Sequence, residues 1–159
     1  MIKFALTIQA LCDAEVEFVV VGGLAGSIHG AARISYDIGV CYARNVVNFR
    51  RLVAALAPFH PRPRGFPEEL PFIWDETTLR NGSLFTLRTD MGDIDLLGEV
   101  SGLGTFDDLK GISGEVEAYG RRFLVLRLEP LIQAKRASGR PKDLEGLPEL
   151  EALLEAQEP

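Results

Sequence analysis

Residues Phe18–Tyr42 read FVVVGGLAGSIHGAARISYDIGVCY, and the rest of the chain is arranged around this stretch. A β-branched apolar run, Phe18 to Val21, stops abruptly at Gly22 and Gly23, as a buried strand does where it enters a tight turn. Leu24, Ala25, Ile28 and Ala31 recur at helical spacing behind the glycines, so a helix is expected there. The backbone N–H groups at such a helix start are free to hold an anion such as a phosphate. Tyr36–Tyr42 then reads as a second strand with Asp37 at its entrance. The Gly-Gly turn and Asp37 are therefore expected to face one another across a pocket. Taken alone, a Gly-Gly pair reads more readily as a tight turn without a ligand.

The order apolar strand, Gly-Gly, helix, then Asp37 between apolar strand residues resembles the signature of the DNA polymerase β-like nucleotidyltransferase superfamily. The resemblance implies an α/β (α+β) nucleotidyltransferase fold, with a central mixed β-sheet flanked by helices and further helices at the C-terminus. It also implies that Gly22 and Gly23 hold a triphosphate and that an Asp-x-Asp or Asp-x-Glu pair binds two Mg²⁺ ions. Here the pair is broken, because Gly39 stands where the second carboxylate belongs. Three readings of Gly39 stay open: a degenerate enzyme that binds nucleotide without efficient transfer, replacement of the missing ligand by Asp93, or an inactivating Asp→Gly change in an active parent.

A length of 159 residues suits a single domain over 1–159. The apolar segment Phe4–Gly26 is interrupted by Asp13, Glu15 and Glu17, so it reads as a helix and a buried strand, not as a membrane span or leader. Cys12 and Cys41 lie in apolar contexts without metal-ligand spacing and read as reduced core thiols, which implies a cytoplasmic protein with no membrane partner. A net charge of −6 argues against coating nucleic acid by bulk electrostatics. Charge is segregated, however. Arg121, Arg122, Lys135, Arg136, Arg140 and Lys142 share one window, and acidic residues crowd Glu145–Glu158.

Along the chain, Phe4, Ile8 and Leu11 mark an opening helix over Ile2–Ala14. His29 reads as a packed or hydrogen-bonded side chain, whereas Arg33, shortly before the Asp37 strand, is placed to pair with phosphate oxygens. Asn45 caps a helix over Val46–Ala57 whose inner side is read as Val47, Leu52, Val53 and Leu56. The proline-rich run His60–Pro67 reads as an exposed loop, either a solvated connection or a border of the site at which His60, Arg62 and Arg64 touch an acceptor. Phe72, Ile73 and Trp74 return to the core, and Asp75 starts a short helix. Ser83–Thr89 and Asp93–Leu97 form a hairpin in which Asp93 and Asp95 share one face. Two carboxylates side by side in so apolar a segment are costly unless a cation or donor sits between them. Leu97–Gly104 is expected as a loop, Thr105–Lys110 as a capped helix and Glu115–Leu128 as a second hairpin. Glu129-Pro130 opens a helix that ends at Ser138-Gly139, and Pro141 opens the last one, with Leu144, Leu147, Leu150, Leu153 and Leu154 inward.

The superfamily carries a third acidic residue on a strand beside the Asp-x-Asp strand; Asp95 matches it best, and the resemblance makes Asp93 either a substitute ligand or a residue that supports the ligands from behind. The run Leu128–Leu150, LEPLIQAKRASGRPKDLEGLPEL, resembles the end of bacterial nucleotidyltransferases related to the AbiEii toxins. That resemblance implies that Lys135 contacts nucleotide phosphates, that Arg140 is an auxiliary phosphate contact, and that Asp143 is a base or orienting group. It thus implies catalytic Asp37, Asp95 and Asp143, metal ligands Asp37, Asp93 and Asp95, and nucleotide contacts at Gly22, Gly23, Arg33, Lys135 and Arg140. The implied reaction moves a nucleoside monophosphate from a nucleoside triphosphate to a hydroxyl of an acceptor such as RNA (tRNA) or protein, with Mg²⁺ as cofactor and an antitoxin as a further partner. Gly39 leaves a second reading, a non-catalytic nucleotide- or partner-binding module that keeps the fold.

Overall fold

The computed structural model of the protein describes residues 2–33 and 35–157. In chain order its elements are α1 (Phe4–Asp13), β1 (Phe18–Val20), α2 (Gly23–Ile28), β2 (Asp37–Tyr42), α3 (Val46–Leu56), β3 (Arg62–Pro63), α4 (Glu76–Arg80), β4 (Leu84–Thr89), β5 (Gly92–Leu97), β6 (Glu99–Val100), β7 (Gly104–Thr105), α5 (Phe106–Lys110), β8 (Ser113–Ala118), β9 (Arg121–Leu126), α6 (Leu128–Ser138), α7 (Pro141–Glu145) and α8 (Leu147–Gln157). A 3₁₀ turn at Ala57–Phe59 follows α3. Glu158, the end of the acidic run, lies outside the described residues.

Burial on both faces puts the apolar strand β1 near the middle of a seven-stranded sheet of order β3-β4-β5-β2-β1-β9-β8. The sheet is mixed. β1 runs antiparallel to β2 and parallel to β9, and β2 runs parallel to β5. That last pairing matters most, because its register sets Asp37 beside Asp93 and Gly39 beside Asp95. Side chains alternate along a strand, so Asp37 and Gly39 share a face with Asp93 and Asp95, while Ile38, Val40, Ile94 and Leu96 point the other way and are fully buried.

Two polar networks tie the helices to the strands. Asn45 accepts the Asn48 N–H at 2.9 Å and so caps α3, as its residue type predicts. Asn48 is fully buried; its Oδ1 accepts the Glu17 N–H at 2.7 Å, and its Nδ2 donates to Glu17 O at 3.1 Å and Ala43 O at 2.8 Å. The inner face of α3 is therefore Asn48, Phe49, Leu52, Ala55 and Leu56, whereas Val47 is exposed. A satisfied buried amide misled the hydrophobic pattern there. Beside it, the Tyr42 hydroxyl donates to Ser83 O at 2.9 Å, and Arg44 Nη1 donates to the same hydroxyl at 2.6 Å and to Leu79 O at 3.1 Å.

Four further expectations are corrected. The run from His60 is not wholly a loop: Arg62–Pro63 is an edge strand on β4, the one place in a sheet where proline costs no ladder hydrogen bond. Leu97–Gly104 includes a small two-stranded sheet, β6 with β7, before the capping box of Thr105 and Asp108 opens α5. Ile73 is 70% exposed, Phe72 packs edge-on against Phe66, and only Trp74 reaches the core. The last helix is two helices, broken at Gly146 because Pro148 lacks an N–H and its ring would crowd the preceding turn; Leu144 ends outside at 44% exposure, whereas Leu147 and Leu150 are buried. Among the described residues no helix is long and apolar enough to cross a membrane.

Candidate functional site

The β-strand face that carries Asp37, Gly39 and Asp95 forms one wall of a cavity of about 430 Å³, and residues of α6, α7 and α8 form the other. Gly22, Gly23, Arg33, Asp37, Gly39, Asp95, Lys135, Arg140 and Asp143 all line it. Asp93 does not, although it shares the strand face. Residues from both ends of the chain thus converge.

The Gly-Gly turn is built by close approach. Gly22 precedes α2, and a Cβ there would meet Gly39 N at 3.4 Å and Gly39 Cα at 3.5 Å. A Cβ on Gly23 would sit 2.5 Å from Ser35 Oγ, so only glycine fits with Ser35 in place. Ser35 is held by donating to Asp37 O at 2.8 Å, and the Val21 N–H donates to Gly39 O at 3.0 Å. The turn and the Asp37 strand are consequently one rigid unit.

Asp95 is half-buried and receives Arg64 Nη2 in a close ion pair on its Oδ1, while Arg64 Nη1 lies 3.6 Å from Asp93 Oδ2. Burial pushes the Asp95 carboxyl above the usual carboxylate range; Arg64 opposes that shift, Asp37 adds to it and Arg140 opposes it. Arg64 is the cation that the Asp93–Asp95 pair demands. Its place in the proline-rich run hid it, because the β3–β4 pairing that aims it inward is not visible in local sequence.

On the opposite wall Asp143 gathers the cations. Its Oδ2 accepts Ser138 Oγ at 2.5 Å and Arg140 Nε at 2.9 Å, and Lys135 Nζ approaches Oδ1 at 3.5 Å. Its side chain is only 10% exposed. Burial pushes the Asp143 carboxyl up, but the hydrogen bonds from Ser138 and Arg140, with the charges of Lys135 and Arg140, outweigh it and hold the carboxyl below the ordinary range. An ionised carboxylate saturated in this way holds Lys135 and Arg140 in place while their remaining N–H donors stay available. Arg33 is tied to Glu145 at 3.3 Å on the rim.

Other basic residues are elsewhere. His29 Nε2 lies 2.8 Å from Leu126 O, so it packs, and His60 pairs with Asp90 at 2.6 Å. Arg62 donates to Pro67 O and Leu70 O. Arg121 holds Asp13 and Arg122 holds Glu115 and Glu117, so neither joins Lys135 and Arg140. Ser35, Thr86, Ser138 and Lys142 also line the cavity, and the sequence reading singled out none of the first three.

Two Mg²⁺ ions need carboxylate oxygens arranged around both. Among the described residues no group of three or more His, Cys, Asp or Glu side chains is arranged to hold a metal ion. Gly39 offers no ligand, and Asp93 and Asp95 already hold Arg64. These side chains do not fit a two-metal centre.

No protein-family model matches the chain, and no curated protein matches it. Among solved structures it is similar to a candidate nucleotidyltransferase from Thermotoga maritima, at 20% identity over 94% of each chain with a TM-score of 0.59. At that identity the likeness concerns the fold, and it agrees with the mixed sheet and flanking helices described above: the chain has a nucleotidyltransferase fold.

Proposed function

We propose that the cleft is a nucleoside triphosphate site of the nucleotidyltransferase kind, in which transfer of the nucleoside monophosphate to an acceptor hydroxyl is impaired by Gly39. The observation that supports this reading is the convergence of Gly22, Gly23, Asp37, Asp95, Lys135, Arg140 and Asp143 on one cavity. Chance would scatter them. The phosphates lie against the Gly22–Gly23 turn, where glycine lets a ligand approach the backbone closely. Lys135 and Arg140, held by Asp143, face them from the helical wall and supply charge-assisted hydrogen bonds. Arg33 and Lys142 add positive charge at the same cavity. This positions a triphosphate without completing the carboxylate array that drives transfer.

Calorimetry with ATP, GTP, CTP and UTP, on this chain and on Gly39→Asp side by side, tests the reading. Binding by both proteins, or binding gained by the aspartate form, is the expected result. No heat from either protein with millimolar nucleotide would overturn it.

A further inference from the structure

Arg64 is built into the sheet. Its N–H donates to Thr86 O at 2.9 Å, extending the β3–β4 pairing, and Pro61, Pro63 and Pro67 restrict the backbone around it. Its guanidinium spans the two carboxylates that β5 projects on the cavity side, and its own side chain is 29% exposed. The neighbouring arginine across the ladder, Arg88, turns instead to Glu68 at 3.5 Å. On this face a carboxylate is missing at position 39 and a guanidinium is present at position 64. Both changes run the same way. Each lowers the negative charge that a divalent cation would need, and a planar two-pronged donor matches two carboxylates better than a point charge does.

We propose that Arg64 takes the place of the divalent metal, so that the cleft binds the phosphates of a nucleotide without Mg²⁺. This rests on the nucleotide reading above. With one guanidinium offsetting half the charge of Asp93 and Asp95 from within, an incoming triphosphate meets the Gly22–Gly23 turn, Lys135 and Arg140 without a metal ion to screen the carboxylates. No bond is made or broken in this step; it is binding only.

The test uses the full chain and two probes. Mn²⁺ alone is titrated by electron paramagnetic resonance into the metal-free protein and into Arg64→Gln. ATP is titrated by calorimetry into the unaltered protein, in EDTA and in Mg²⁺. The unaltered protein is expected to bind Mn²⁺ no more tightly than the millimolar range, and Arg64→Gln about tenfold or more tightly, since the carboxylates are then free for a hard cation. ATP affinity should agree within about threefold in the two buffers. Arg64→Lys, which keeps the charge, should still exclude Mn²⁺, and Arg64→Met, which removes it, should gain Mn²⁺ binding as Arg64→Gln does and stands in should that variant fail to fold. Micromolar Mn²⁺ binding by the unaltered protein, an absent gain in Arg64→Gln, or ATP binding only with Mg²⁺ would each overturn the proposal. ATP binding in neither buffer would sink the nucleotide reading and the metal-free binding drawn from it, while the Mn²⁺ comparison, which needs no nucleotide, still decides whether Arg64 is the resident cation.

Discussion

A Cβ built at Gly39 meets Gly22 Cα at 3.6 Å, Gly22 N at 3.7 Å and Val21 Cγ2 at 3.9 Å, all ordinary contact distances. Position 39 therefore has room for a side chain. Gly39→Asp should fold, with its carboxylate opposite Asp95 in the β2–β5 register. Without metal the like charges should cost about 0.5–1 kcal/mol, read by urea unfolding in EDTA. With Mg²⁺ the same variant should gain metal affinity through Asp37 and the new carboxylate, read by calorimetry. Adding Asp37→Ala should abolish the gain, and a double variant that keeps it would show that the two positions do not act as a pair. Gly23 behaves oppositely. Gly23→Ala drives a methyl into Ser35 Oγ and should lose about 1–3 kcal/mol, as overpacking does. Gly23→Ala combined with Ser35→Gly should recover most of that loss, and thermal denaturation of the two variants measures the difference.

At the scale of elements, polar anchors decide which secondary structures stay docked. Asn48→Ala strips partners from the Glu17 N–H, Glu17 O and Ala43 O, all at the junction of β1, β2 and α3, and should cost about 2–4 kcal/mol in urea unfolding. Asp143 links α6 to α7. Its pKa is lower folded than unfolded, so its contribution is present above the ordinary carboxylate value and disappears as pH falls through the folded value. Asp143→Asn should thus lose about 1–3 kcal/mol at pH 7 and little at strongly acid pH, flattening the acid limb of stability. Equal losses at both pH values would show that the charge is unimportant. These anchors also show what local sequence discloses. The Asn45 cap, the Asp75 cap, the Thr105 start and the Gly139 stop were all readable, because each satisfies its own helix end within a turn or so. The inward Asn48 and the break at Gly146-Leu147-Pro148 were not: the first depends on strands distant in sequence, and the second sits inside a leucine periodicity that looks continuous.

Across the whole molecule, the legible part of the site was the part carried by single strands and helices. Asp37 and Asp95 could be picked out as carboxylates between apolar strand residues, whereas Lys135, Arg140 and Asp143 were implied only by the family resemblance of the run Leu128–Leu150. Arg64 reads locally only as a loop residue placed to touch an acceptor; its pairing with Asp95 was not legible, since only the register of β3 on β4, and of β4 on β5, brings the two together. The same long-range assembly makes a prediction about the fold as a unit. A triphosphate held as proposed, between the Gly22–Gly23 turn and the Lys135–Arg140 wall, would tie the sheet to the C-terminal helices and so bind the native chain and not the unfolded one. At about a hundred times its dissociation constant such a ligand stabilises by roughly 2.7 kcal/mol. For a chain of this size that raises the melting temperature by about 5–10 °C. Circular dichroism with saturating ATP should show the rise, and Lys135→Ala should reduce it, because one of the two walls then holds the phosphates less firmly. A rise that is unchanged in Lys135→Ala would place the nucleotide away from this cleft, and a melting temperature indifferent to ATP would mean that the two walls are not joined by it.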